Sequence, residues 1–347
     1  MDNNIKIISM NVRGLQGSVF KRRDIFHWVK QKNVSIVCLQ ETHSTKNDEI
    51  YWAAEWGYKC IFSRCFSNSA GVAILFRNTF EFVIHRERCE SQGRFIILDI
   101  TINGNRITLV NLYDYNDDNP SFFRKLKEEI LFLENSSIIM CGDWNTVQDL
   151  DLDTYNILYD KHQQSRAVIQ DLKNELELID PWRNSNQDLK MYTWRQKSPL
   201  KQSRLDYFLV SEDIHMNTVD ACILPGYKSD HSAIALSVAF STCSRGKGYW
   251  KFNAQLLKNN VYTDLVKKCI ADTVNEYYVG GNKDDSLRVS LSCNDQMFFE
   301  ILKTKIRSET IYSSIKKTKE KREKLKKIEQ EIIEIYGELS NNIDGET

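Results

Sequence analysis

The sequence predicts an α/β fold in which two packed sheets fill residues 1–240, and three observations lead there. Short β-rich runs alternate with helical patterns, and no gap between them is long enough for a linker. Eleven strand candidates exceed what one sheet usually holds, so they divide between two layers. Asn103-Gly104 separates two of those candidates, which is the sequence of a two-residue hairpin and makes part of the sheet structure antiparallel.

In chain order, Ile5 to Met10 reads as a strand, Lys21 to Lys32 as a helix, Ser35 to Gln40 as a strand and Asp48 to Trp56 as a helix. Five strand patterns follow, Lys59 to Ser63, Gly71 to Phe76, Phe80 to Arg86, Arg94 to Ile102 and Arg106 to Leu112. A helix over Phe122 to Leu133 leads to a strand over Ser137 to Cys141. Ser165 to Leu178 carries Val168, Leu172, Leu176 and Ile179 at helical spacing. Tyr192 to Arg195, Arg204 to Val210 and Ser232 to Phe240 complete the strands.

After Phe240 the pattern changes. Ser241 to Gly248 is polar and glycine-bearing and reads as a linker, so the expected division is 1–240, then 241–300 as linker and helical segment, then 301–347 as a basic helix and tail. Lys316 to Lys327 is dense in positive charge, and Leu325, Ile328, Ile332, Ile335 and Leu339 form a short two-heptad seam. That stretch reads either as a solvated helix packing on a neighbour or as a contact for nucleic acid or a partner.

Composition narrows the function classes. The chain has 47 Lys+Arg against 47 Asp+Glu, so an anionic partner must be met by local patches rather than by net charge. No run approaches the roughly 18 apolar residues of a membrane span. The nine cysteines are odd in number, scattered and without a CxxC pair, which indicates neither a disulfide framework nor a zinc site and points to a reducing compartment. The N-terminus lacks the pattern of a signal peptide.

Side chains two apart share a face of a strand. By that parity Asn11 continues the face of Ile5 and Ile7, Glu41 that of Val37 and Leu39, Tyr113 that of Ile107 and Leu109, and Asp143 that of Ile139 and Cys141. Each apolar series ends at the C-terminal tip of its strand in a group able to bind a cation or donate a proton, where ligands collect. Asp206 interrupts an apolar strand and so requires a partner. His231, in Asp230-His231, is the natural one, because a carboxylate on one ring nitrogen fixes the tautomer and raises basicity. Asp143 and Asn145, two apart, can place a base and an amide around a water. Carboxylates, amides and a histidine make a hard, oxygen-rich site suited to Mg2+ or Mn2+. His27, His43, His85, His162 and His215 lack such context and read as structural or exposed.

The segments MNVRG from Met10, LQET from Leu39, NLYDYN from Asn111, GDWN from Gly142, RLDYFLVS from Arg204 and SDHSAI from Ser229 resemble, in order and spacing, the endonuclease/exonuclease/phosphatase superfamily. Within it the chain resembles the apurinic/apyrimidinic endonuclease and exonuclease III branch, and most of all the N-terminal endonuclease domain of LINE-type (non-LTR) retrotransposon polyproteins, where GYWKFN and a basic helical stretch follow. The resemblance implies a four-layered α/β sandwich and a Mg2+-dependent phosphodiesterase, with Mn2+ as an alternative ion, that nicks duplex DNA to leave a 3′-hydroxyl and a 5′-phosphate. It implies a metal set of Asn11, Glu41, Asp143, Asn145, Asp230 and His231, and a catalytic set of Tyr113, Asp143, Asn145, Asp206 and His231. Duplex DNA is the implied partner, with element RNA a candidate for the basic C-terminal helix, a monomeric nuclease domain, no membrane, and the nucleus as the place of action, with the cytoplasm as the alternative. Where abasic-site repair enzymes carry Asp two residues after the first Asn, this chain has Arg13, which argues against abasic specialisation. An abasic-site repair nuclease and an inactive nucleic-acid-binding copy are the alternatives.

Overall fold

The computed structural model describes residues 4–64, 70–157, 159–240, 252, 254–280 and 291–344. Two compact units divide the chain, Met1–Cys243 with Tyr336–Thr347, and Ser244–Ile335. The predicted linker, 241–248, lies outside the described residues.

The first half of the chain gives β1 (Ile5–Asn11), α1 (Val19–Gln31), β2 (Ile36–Gln40), α2 (Lys46–Trp56), β3 (Cys60–Ser63), β4 (Val72–Phe76), β5 (Val83–Cys89), β6 (Phe95–Ile102) and β7 (Asn105–Tyr113). Then come α3 (Pro120–Leu131), β8 (Ile138–Asp143), α4 (Leu150–Asp153), β9 (Thr154–Tyr155), α5 (Gln163–Glu175), β10 (Leu178–Ile179) and α6 (Pro181–Ser185). The unit closes with β11 (Trp194–Lys197), β12 (Leu200–Ser203), β13 (Asp206–Ser211), α7 (Glu212–Met216), β14 (Thr218–Ile223) and β15 (Ile234–Val238).

Two six-stranded sheets face each other, in the orders β14-β15-β1-β2-β4-β3 and β10-β13-β8-β7-β6-β5. Both are mixed, because β1–β2 and β7–β8 are parallel while their other neighbours are antiparallel. A three-stranded sheet, β11-β12-β9, stands apart. Three buried apolar clusters explain the layering. One lies between the sheets and takes Ile5, Ile7, Cys38, Leu109, Ile139, Cys141, Phe208 and Val210. A second packs α3 and α5 on the outer face of β6, β7, β8 and β13 through Phe123, Leu126, Ile169, Leu172 and Trp144. The third packs α1 and α2 on β1, β2 and β4 through Ile25, Val29, Trp52 and Trp56. The result is the four-layered sandwich, with the central strands buried on both faces and helices outside.

Local chemistry sets the boundaries. Ser18 accepts from the Lys21 amide to start α1, and Thr45 with Asp48 forms a capping box that starts α2 two residues before its predicted first residue. Asn103 and Gly104 both have positive φ, 50° and 83°, and turn β6 into β7 as the dipeptide predicts. The strand expected from Phe80 begins three residues later, because Phe80 closes a turn on Arg77 and buries its ring between the sheets. Ile179 belongs to β10 rather than to the helix before it: α5 ends at Glu175, and Glu177 at φ 51° breaks the helical path. Of the short elements, β9, β10, β12, α4, α6 and α7 carry too few residues for a periodic signal, and β14 is a half-exposed edge strand with little apolar alternation.

In the other unit, α8 (Asn260–Tyr277) is capped by Asn259, and the Tyr262 hydroxyl meets Thr310 Oγ1 at 2.7 Å on α9 (Asp295–Asp344), whose residues up to Ile335 belong to this unit. The expected 300/301 boundary falls inside α9. Along the seam Leu325 and Ile332 are half-buried, while Ile328 and Ile335 are 54% and 53% exposed. No helix among the described residues is long and apolar enough to cross a membrane.

Candidate active site

Strand register assembles the inner part of the site. β7 pairs Tyr113 with Asp143 on β8, and β13 pairs Asp206 with the same Asp143, so three polar side chains form a row across one end of the second sheet. The row needs a bare backbone beside it. Gly142 has φ 151°, and a Cβ there would lie 1.9 Å from the Leu112 carbonyl oxygen, so only glycine fits before Asp143. Trp144, fully buried, stacks on Tyr207 at 4.8 Å and donates its indole N–H to the Tyr207 carbonyl, which fixes the turn that follows.

The first sheet supplies the partners. Asn11, at the end of β1, donates through Nδ2 to Asp143 Oδ2 at 2.8 Å and to Glu41 Oε1 at 2.9 Å. The Tyr113 hydroxyl donates to the same Glu41 oxygen at 2.8 Å. Ser229 donates to the Asn11 carbonyl and accepts from the His231 amide, which ties the last loop to β1. His231 Nδ1 lies 2.8 Å from Asp206 Oδ2, and its Nε2 lies 3.8 Å from Asp143 Oδ2. The partner that Asp206 demands is therefore His231, as the sequence reading expects.

Parity succeeds for Asn11, Tyr113 and Asp143 and fails for Glu41. Val37 and Leu39 face α1 and α2, and Gln40 continues the inter-sheet face, bonding Ser9 and Asn111. Glu41 lies one residue beyond β2 at φ 51°, and that left-handed turn rather than strand alternation swings it to the site. Asn145 is also left-handed, at φ 46°, with its amide donating to Asp143 Oδ1 and its Nδ2 to the Asp114 carbonyl. Asp230 is held by Arg13, Nη1 to Oδ2 at 3.1 Å.

Burial and mutual charge set the protonation chemistry. Burial pushes the Asp143 carboxyl up to about 7, opposed by the nearby His231. Burial disfavours charge on His231, but Asp206 and Asp143 outweigh it and raise the imidazole to about 10. Burial, reinforced by Glu41, raises the Tyr113 phenol so that it stays a donor. The arrangement thus offers a base poised near neutrality beside an imidazolium with one ring nitrogen directed at it. Asp143, Asp206 and His231 can bring one ligand atom each within 4.8 Å of one another. Glu41, Asn11 and Asp230 add oxygen donors of the kind that hard divalent ions take, so the residues present fit such an ion.

The site opens into a cleft of about 620 Å3. Glu41, Asp143, Asn145, Asp230 and His231 line it together with Lys161 and Lys201, while Arg166 is paired with Asp160 at 2.7 Å. Two histidines read from sequence as structural or exposed belong here. His162 lines the cleft, and His43 Nε2 lies 3.8 Å from Glu41 Oε2. Both arrive on loops, where no periodicity marks them. The ion network beside Asp206 was also illegible: Arg204, 1% exposed, binds Asp153 and Asp180 at 2.7 Å each and anchors α4 and α6 to the start of β13.

The profile of the Endonuclease/Exonuclease/phosphatase family matches residues 8–231. The Transposon TX1 uncharacterized 149 kDa protein of Xenopus laevis is 25% identical over 268 residues, 76% of this chain and 20% of that protein, so the chain spans about a fifth of that relative's length. The exodeoxyribonuclease of Bacillus subtilis (strain 168) is 26% identical over 268 residues, covering 67% of this chain and 99% of the relative. Among solved structures, AP endonuclease LMAP from Leishmania major matches with a TM-score of 0.60 at 20% identity, over 69% of this chain and 88% of that chain. An AP endonuclease from Archaeoglobus fulgidus matches with a TM-score of 0.55 at 21% identity, over 68% of this chain and 100% of that one. At those identities the two structures speak to fold.

Proposed function

The chain belongs to the endonuclease/exonuclease/phosphatase family, and from that premise we propose that it is a divalent-metal-dependent endonuclease that nicks duplex DNA. In this reading Mg2+ or Mn2+ is the ion, the products are a 3′-hydroxyl and a 5′-phosphate, and the nick primes reverse transcription of a mobile element in the nucleus. The single observation that carries it is the buried Asp206–His231–Asp143 alignment opening onto a cleft that Lys161 and Lys201 also line. The transposon relative supports the mobile-element setting.

The residues divide the work. Asp143, raised by burial, takes a proton from the attacking water, and the Asn145 amide that bonds its carboxylate fixes its orientation. His231, kept cationic by Asp206, donates through Nε2 to a phosphoryl oxygen as charge builds there. Tyr113 remains protonated and steadies Glu41. Glu41, with Asn11 beside it, would hold the ion, which supplies Lewis-acid polarisation of the phosphoryl group when bound. Lys161 and Lys201 would meet backbone phosphates. The basic stretch of α9 is proposed as a contact for element RNA.

The test is incubation of the purified chain with supercoiled plasmid and Mg2+, with Glu41→Ala in parallel and duplexes with and without an abasic site. Open circles made from intact plasmid by the parent alone support the proposal. The AP endonuclease fold neighbours favour a second reading, and cleavage confined to the abasic duplex would establish it instead. Cleavage of neither would leave a phosphatase of this fold or an inactive binding copy.

A further inference from the structure

Among the described residues Arg13 pairs with Asp230, a carboxylate of the metal rim, and nothing in the reaction above uses it. Its Nη1 lies 3.1 Å from Asp230 Oδ2, with side chains 66% and 27% exposed. The contact is built from both sides. The Arg13 amide donates to Asn11 Oδ1 at 2.9 Å, its backbone takes the left-handed region at φ 47°, and Lys21 Nζ donates to its carbonyl at 2.8 Å. Asp230 in turn sits between Ser229, bonded to the Asn11 carbonyl, and His231, bonded to Asp206. Each partner is thus fixed by groups of the site itself. A guanidinium keeps its proton at any working pH, so an ion that takes Asp230 Oδ2 must displace Arg13.

We propose that Arg13 withholds Asp230 from the divalent ion, so that Asp230 serves the arginine and the ion is held by Glu41 and its neighbours at reduced affinity. The proposal rests on the metal-dependent reading above and is tested without turnover. Mn2+ binding to the nucleic-acid-free chain is measured by electron paramagnetic resonance of the free ion, with isothermal calorimetry as a second readout and thermal melting to verify folding. Arg13→Asn removes the charge with a residue that tolerates positive φ, and it is expected to bind Mn2+ about five- to tenfold more tightly, the size of one unit charge acting across a solvent-washed rim. Arg13→Lys keeps the charge and is expected to stay within about twofold of the parent.

The discriminating measurement is the double-mutant cycle. If Asp230 becomes a ligand only when Arg13 is gone, Asp230→Asn costs at least about threefold more affinity in the Arg13→Asn background than in the parent. Equal costs in the two backgrounds would mean that the residues act only through their fields and would overturn the proposal, as would unchanged affinity in Arg13→Asn. The metal-dependent reading fails separately: in that case the parent binds Mn2+ no better than Glu41→Ala does, and the inference falls with it. Glu41-dependent binding that is indifferent to Arg13 overturns the inference and leaves the reading standing.

Discussion

The inner row and the rim of the site are built by different means. Tyr113, Asp143 and Asp206 are placed by ladder register between neighbouring strands, and His231 is clamped on Asp206 at 2.8 Å with only 6% of its surface exposed. Glu41, Asn145 and Arg13 stand just past strand ends and reach the cleft through left-handed backbone at φ 51°, 46° and 47°. A sheet corrects small errors collectively, because every ladder bond shares the register. A left-handed turn depends on one residue's conformation and the hydrogen bonds around it. The inner row is therefore where proton transfer can be poised, and the rim is where ion and phosphate affinity can be tuned without disturbing the core.

The largest expected effect falls on the inner row. His231→Ala should lower the plasmid-nicking rate by about 10²- to 10⁴-fold, the usual loss of a general acid or charged hydrogen-bond donor. A loss under tenfold would place the chemistry on the rim and dissolve the contrast. Next comes support of the row. Asp153→Ala strips Arg204 of one of its two buried carboxylates, and leaving that charge short of a partner should cost about 3–5 kcal/mol in urea unfolding followed by tryptophan fluorescence.

The pH dependence sharpens the comparison. His231 is raised from 6.5 to about 10 by its carboxylate neighbours, so the stability it contributes is complete below pH 6.5 and is lost as pH climbs through about 10. Melting temperatures taken in EDTA should fall over that window for the parent and hold level for His231→Gln. On the rim, Asn145→Ala keeps the chain folded but must adopt φ 46° without an amide side chain, and should cost about 1–2 kcal/mol. Smallest of all, Val83→Lys on the exposed edge strand β5 should stay within about 0.5 kcal/mol of the parent.

Much of the architecture was legible because it depends on periodicity. Alternating apolar residues marked the long strands, Asn103-Gly104 marked its hairpin, and the cost of burying Asp206 was enough to demand His231 across 25 residues of chain. Asn11, Tyr113 and Asp143 followed from counting by twos along their strands. The same counting misplaced the face of Glu41, because its residue lies where the strand has ended and a positive φ, invisible in a residue name, sets the direction. His43 and His162 near the cleft, the Arg204 network and the Arg13–Asp230 pair were likewise beyond reach. By itself the sequence determined which residues alternate, which turn, and which buried charge required a partner, since those are local free energies. Tertiary structure alone decided which loops meet at the rim, because Asn11 reaches Asp143 132 residues away only after both sheets have paired and packed.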